Sequence, residues 1–239
     1  CRDLPAYGEP SAQCGGRRLP QRQCSFSLSL AKHADAHRRQ VDVIDLYQAH
    51  EDDTKTPLEE TLQAFADLIK AGKVRAIGAS NYSGARLAEA LAISAAHGLP
   101  RYETVQPHYN LYHRAEFETD LQPVCIAQEV SVIPYFGLAS GFLTGKYRSA
   151  SDTEGKARGE DMESYLNTRG FHILGALDQV AAETNTNPAT VAIAWVAAQP
   201  GITAPIASAT SLSQLDSLIA AGRLELTRAQ IEALNAASA

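Results

Sequence analysis

The sequence predicts an α/β fold of the (β/α)8 barrel type, incomplete, with about five clear βα units in residues 41–239. Three observations carry this. Short, β-branched apolar runs alternate with amphipathic stretches of helix length, which is the pattern of parallel strands with helical returns. Capping and turn residues fall where one element gives way to the next. No G-x-G-x-x-G follows the first strand, which disfavours an open Rossmann-type sheet.

The elements follow in order. Val41–Tyr47 is a short β-branched run and predicts a buried strand. The acidic run Glu51-Asp52-Asp53 reads as a solvated loop. Thr56 is placed to cap a helix, with Pro57 in its first turn and Glu59 closing a capping box. Leu58, Leu62, Phe65, Leu68 and Ile69 share one face of that helix, and Gly72 stops it. Val74–Ala79 is the second strand, and a helix runs from Ser83 to His97 and ends at Gly98. Glu103–Gln106 is the third strand, followed by a helix near Ala115–Glu129. Val130–Tyr135 is the fourth, followed by a long polar loop to about Asn167. Helices follow near Thr168–Thr184 and from Asn187-Pro188. Ile202–Ile206 is the fifth strand, and helices near Ser211–Ala221 and Thr227–Ala237 follow it.

Residues 1–40 read differently. They are rich in Arg, Gln, Ser, Pro and Cys, with little sustained period. A closed barrel needs eight strands. Forty residues cannot supply three complete βα units of about thirty residues each. The expected organisation is therefore a degenerate N-terminal remnant at 1–40 and a barrel portion at 41–239. The chain begins at Cys1 rather than Met, which reads as a processed product or a fragment.

Composition narrows the function. The chain has 239 residues, 45% apolar and 20% charged, with net charge −6 and no basic run. A nucleic-acid partner is not expected, because phosphate binding needs a lysine and arginine footprint. No apolar stretch approaches the roughly 20 residues that span a bilayer, and the N-terminus lacks a signal-peptide pattern. The four cysteines match no zinc spacing and read as free thiols of a reducing cytoplasm. Oligomeric state is not readable.

In a β/α barrel the site lies at the C-terminal ends of the strands. Those ends give His50, Ser80 and Asn81, Gln106, and Tyr135 with Gly137, Gly141, Gly145 and Lys146; the fifth gives Ser208, Thr210 and Ser211. No Ser/His/acid triad is evident. His50 has no second ligand in this register, so no metal is expected. Amide, hydroxyl, aromatic and glycine groups at one mouth suit a flat ring with an amide substituent and an anionic tail, the description of a nicotinamide with its pyrophosphate. His108, His113 and His172 read as structural or surface residues.

Four segments then resemble one family in order and spacing: Val43–His50, Gly72–Asn81, Val105–Asn110 and Val132–Tyr147. Together they resemble the aldo-keto reductase family over roughly five-sixths of the chain. The resemblance implies NADP(H)-dependent reduction of a small-molecule carbonyl substrate, an aldehyde or ketone. His50 matches the histidine that orients the substrate carbonyl. Ser80, Asn81 and Gln106 match the groups that bond the carboxamide, and Tyr135 the aromatic that stacks on the nicotinamide. Leu138, Gly141, Leu143, Gly145 and Lys146 match the loop over the pyrophosphate. Ser208, Thr210, Ser211 and Gln214 match the segment at the adenosine end. Thr210 and Leu218 stand where the family often has an arginine and an asparagine, so NAD(H) is admitted beside NADP(H).

The family's general acid is a tyrosine beside a lysine that is paired with an aspartate. The resemblance implies Tyr7, Lys32 and Asp3 for these catalytic roles. Asp3 and Tyr7 are one residue too close, and only 18 positions separate Lys32 from His50, fewer than in the family. The expectation is therefore an aldo-keto reductase with impaired catalysis. The alternative is a non-catalytic nicotinamide-nucleotide-binding or regulatory module on the same scaffold.

Overall fold

Four parallel strands in the order β1-β2-β3-β4 organise the chain: β1 Ile44–Ala49, β2 Val74–Ser80, β3 Tyr102–Gln106 and β4 Ser131–Val132. The computed structural model describes residues 41–153 and 162–239, and Val43–Ala239 fold as one unit. Each crossover between strands carries a helix, as parallel pairing requires. These are α1 Leu58–Lys70, α2 Gly84–His97 and, after β3, a helical segment ending in α3 Gln122–Ala127. After β4 come α4 Thr168–Glu183, α5 Pro188–Ala197, α6 Leu212–Ala221 and α7 Arg228–Ala237.

The core lies where these helices meet the sheet. The α1 face of Leu58, Leu62, Phe65 and Leu68 is buried, with Ile69 packed at its margin. In β2, Ile77 to Ser80 are buried consecutively, as in a strand covered on both faces. In α2, Ser83 accepts the Arg86 N–H at 3.2 Å and Gly98 ends the helix at φ 64°. Asn187 caps α5 with Pro188 in the first turn, and Thr227 and Gln230 form a capping box on α7.

Several expectations change, among them the fourth strand, which is Ser131–Val132 rather than Val130–Tyr135. The first strand starts at Ile44, not Val41. Thr56 does not cap α1, and no capping box with Glu59 forms; Pro57 holds the cap position. The Thr56 hydroxyl instead donates to Asp53 Oδ2 at 2.8 Å, because Asp53 organises the preceding turn and also accepts the Lys55 N–H. The acidic run is not simply solvated. Asp52 is 12% exposed and holds Arg86 of α2 in a two-pronged pair at 2.7 and 2.8 Å, which ties the loop after β1 to the next helix.

The helix expected near Ala115–Glu129 contains a π turn at Phe117–Leu121. Pro123 has no N–H to return to the preceding turn and its ring crowds a carbonyl there, the usual physical cause of a bulge. The fifth strand is reduced to a bridge between Ile202 and Val132. The segment still runs beside β4: Thr203 N–H donates to Val132 at 2.8 Å and Ile206 N–H to Pro134 at 2.9 Å. Pro134 and Pro205 each remove a ladder donor, which shortens both strands.

Candidate functional site

The C-terminal ends of the strands bring the sequence-predicted groups together. Ser80 and Gln106 are register partners across β2 and β3. The Ser80 hydroxyl donates to the Gln106 carbonyl at 2.9 Å. Asn81 is the hub. Its amide nitrogen donates to the His50 carbonyl at 3.0 Å, and its amide oxygen accepts the Tyr135 hydroxyl at 2.8 Å. One side chain thus links the end of β1 to the segment after β4. Asn81 adopts φ 57°, in the left-handed region that asparagine tolerates better than most residues.

The Ser80 and Asn81 side chains are thus engaged with the Gln106 and His50 carbonyls and the Tyr135 hydroxyl, and a ligand would exchange these bonds. The His50 ring is exposed, and its main chain, not its imidazole, joins the network. Partial burial raises the Tyr135 phenol, with the Glu116 and Glu51 carboxylates adding to it, so the hydroxyl stays protonated and a donor.

The loop after Tyr135 is conformationally unusual. Phe136, Ala139 and Ser140 have φ of 59°, 48° and 55°, and Gly141 has φ 100°. The Ala139 N–H donates to the Phe136 carbonyl at 2.8 Å and the Gly141 N–H to the Leu138 carbonyl at 2.9 Å, so the run closes as a tight turn. Lys146 arches over it: a Cβ at Gly141 would lie 3.3 Å from Lys146 Nζ, which rests 4.8 Å from the Tyr147 ring centroid. Gly145 is held by Arg148, whose Nε donates to its carbonyl at 2.7 Å while the guanidinium grips Asp178 of α4 at 2.7 and 2.8 Å. Leu138 is partly buried, whereas Leu143 lies wholly in the core. Any ligand contact at Leu143 would run through its main chain.

Ser208, Thr210, Ser211 and Gln214 are exposed around the start of α6. Ser211 accepts the Gln214 N–H at 3.3 Å, and Gln214 Oε1 accepts the Thr210 N–H at 2.8 Å and its hydroxyl at 3.1 Å. These bonds form the helix cap, and a helix N-terminus favours a negative group. Asp3, Tyr7 and Lys32 lie outside the described residues. Among the described residues, no group of three or more His, Cys, Asp and Glu is placed to hold a metal, and no helix is long and apolar enough to cross a membrane. Cys125 is free and buried, which pushes its thiol up to about 12.

Sequence reasoning missed His108 and Asn110. His108 stacks on Tyr135 with ring centroids 5.4 Å apart and planes 19° apart. Asn110 is fully buried and bonds His108, the Phe136 carbonyl and two main-chain N–H groups. The signal was present: beyond a strand end, Gln106, His108 and Asn110 continue its two-residue alternation.

Burial lowers both His108 and His113, with His113 acting on His108 and Arg169 on His113; Glu116 opposes this weakly at His113. Their folded values lie below the unfolded histidine value near 6.5, so the unfolded chain binds more protons as the solution is acidified. Stability is intact above about pH 6.5 and is lost as pH falls through that value toward the lowered ones. Asp53, Asp152 and Glu183, held down by hydrogen bonds, act in a separate and lower window. Melting temperatures from about pH 8 to about pH 5 should show the histidine limb, and His113→Phe should flatten it. An unchanged limb in that variant would rule the assignment out.

A cluster of amide, hydroxyl and aromatic groups at the C-terminal ends of parallel strands is the layout of a β/α-barrel site. The family model of the aldo/keto reductase family matches residues 29–239, and the chain belongs to that family. The match begins ahead of Val41, inside the stretch set apart as 1–40. The chain is 33% identical over 185 residues to the aldo-keto reductase YhdN of Bacillus subtilis, covering 76% of this chain and 54% of that protein. It is 34% identical over 208 residues to the uncharacterized oxidoreductase Rv2298 of Mycobacterium tuberculosis, covering 87% and 62%. It is 32% identical over 228 residues to protein tas of Escherichia coli, covering 86% and 65%. The chain thus spans between about half and two thirds of the length of these relatives.

Proposed function

We propose that the protein is an oxidoreductase of the aldo-keto reductase type that reduces aldehydes or ketones to alcohols with NADPH, with NADH as a further candidate. The observation that carries this is the Asn81 hub, which joins His50, Tyr135 and the Ser80–Gln106 pair at one mouth. When bound, the nicotinamide cofactor supplies hydride to the carbonyl carbon.

The residues fit such a group. Tyr135 is a partly exposed aromatic beside exchangeable amide and hydroxyl groups. The left-handed run through Gly141, with Lys146 over it, suits the pyrophosphate. Ser80, Asn81 and Gln106 would hold the carboxamide, and the α6 cap residues Ser208, Thr210, Ser211 and Gln214 the adenosine end. His50 would orient the substrate carbonyl. A proton for the nascent alkoxide would come from Tyr7, assisted by Lys32 and Asp3, were that trio in place; the short interval between Lys32 and His50 argues that it is not. Loss of a general acid costs about 10²–10⁴-fold in rate, so binding outlives turnover if that trio is out of place.

The shorter length relative to the relatives keeps a second reading in view: a nucleotide-binding module without turnover. Paired measurement separates the two. Purified chain should bind NADPH, seen by nucleotide fluorescence, and oxidise it in the presence of aldehydes. Gln106→Ala and Tyr135→Ala should each weaken binding about fivefold or more, the loss of at least one net interaction of about 1 kcal/mol. Tyr7→Phe should leave binding and any residual rate unchanged. Binding without turnover would select the module, and absence of binding would sink both readings. A large rate loss in Tyr7→Phe would show a working acid in the first forty residues.

A further inference from the structure

We infer that Asn110 and His108 form a positioning device for the Tyr135 ring, in which Asn110 fixes the imidazole as a hydrogen-bond acceptor and the imidazole backs the phenol. This rests on the reading of Tyr135 as the nicotinamide platform. The main chain sets the register: His108 and Tyr135 form a parallel bridge, and Tyr135 N–H donates to the Pro107 carbonyl at 2.9 Å. The rings then stack at 5.4 Å, and one face of the phenol is taken. A ligand ring is left the other.

The acceptor state follows from the amide. Asn110 Oδ1 accepts the N–H groups of Tyr112 and His113, both at 2.9 Å. Its Nδ2 donates to the Phe136 carbonyl at 2.9 Å. Reversing the amide would forfeit all three bonds inside the protein, where an unmet polar group costs about 1–3 kcal/mol. The same Nδ2 lies 3.3 Å from His108 Nε2 and has only hydrogen to offer. His108 Nε2 must therefore present its lone pair, and the proton sits on Nδ1.

A second proton on Nε2 would set N–H against N–H and place a cation in the stack. That charge would also oppose an oxidised, positively charged nicotinamide on the far face of Tyr135. The titratable groups around the cluster are His113, at 4.6 Å ring to ring, and Tyr135 itself. Tyr165 meets His113 Nε2 at 3.2 Å, and Arg169 of α4 and Glu116 act on His113. Burial and His113 push His108 the same way, toward the neutral ring.

The test combines nitrogen-15 histidine NMR with NADP⁺ and NADPH affinities from about pH 5 to about pH 8. At neutral pH, His108 Nε2 should carry the signature of an unprotonated acceptor. Wild-type affinity for NADP⁺ should fall as His108 titrates. His108→Phe keeps a stacking ring and should hold affinity within about threefold at neutral pH while losing that limb. It also controls for titration of the nucleotide's own phosphate. His108→Ala should weaken binding about tenfold, as expected for about 1.4 kcal/mol of lost support. Wild-type-like affinity and pH limb in both variants, or a protonated Nε2 in the neutral ring, would overturn the inference and leave the platform reading standing. Failure of the wild type to bind either nucleotide, with the His108 signature intact, would instead overturn the platform reading and this role with it.

Discussion

Trp195→Ala is expected to destabilise the protein by about 3–5 kcal/mol, the range for deleting a buried large aromatic. Trp195 is fully buried in α5. Its ring meets Tyr109 at 5.5 Å, and the Arg114 guanidinium lies 5.1 Å from its centroid. Its Nε1 donates to Asn235 Oδ1 of α7 at 2.9 Å. One side chain thus joins the segment after β3 to α5 and α7. Arg114 depends on the same arrangement: it bonds the Asn235 carbonyl at 3.1 Å, the Ser238 hydroxyl at 2.7 Å and Glu118 at 2.8 Å. Alanine would leave a cavity, an unmet Asn235 oxygen and a guanidinium without its ring. Trp195→Phe should cost clearly less, because most of the volume remains. Urea unfolding followed by circular dichroism measures both, since the chain has 1 Trp and the mutation removes its fluorescence. A loss below about 1 kcal/mol for the alanine variant would mean that this junction does not hold the fold together.

Gly170→Ala should reach the site from behind, at the upper end of the about 1–3 kcal/mol typical of overpacking. Gly170 stands in the first turn of α4, where its N–H is accepted by the Asn167 cap at 3.0 Å. A Cβ there would overlap the Tyr165 carbonyl oxygen and come 2.9 Å from Phe142 Cζ. A carbonyl is main chain, so backbone must shift rather than a rotamer. Phe142 stacks on Tyr165 at 5.2 Å and belongs to the same short helical segment, Ala139–Thr144, as Gly141. Displacing that stack should move the turn through Gly141 and the Lys146 beside it as well. The expected result is a lowered melting temperature together with weakened NADPH binding. Gly175→Ala, where a Cβ in the interior of α4 meets nothing within 4 Å, is the matched control: it should leave binding unchanged and raise the melting temperature modestly, by the about 0.5–1 kcal/mol that alanine gains over glycine in a helix. A Gly170→Ala variant as stable as wild type would refute the close approach.

Much of the fold was legible because local chemistry and packing agree. The α1 stripe, the Ser83 and Asn187 caps, and the stop at Gly98 depend on side-chain period, a nearby N–H or a permitted φ, and all are set within a few residues of sequence. The Thr56 cap failed for the opposite reason. Two polar side chains competed for the same turn, and Asp53 took the Thr56 hydroxyl. The fifth strand was read from its apolar composition, yet hydrogen bonding decides a strand, and Pro134 and Pro205 interrupt it.

The sequence by itself determined the family, the parallel α/β plan and the residues that stand at the strand ends, because each depends on residue type and spacing along one chain. Only the tertiary structure decided what those residues do to one another. That Asn81 reaches from His50 to Tyr135, that Asp52 locks onto Arg86, and that His108 lies flat against Tyr135 are contacts between segments 25 or more positions apart. Such distances close only when parallel strands set their registers, and no local preference in the chain encodes which side chains then meet.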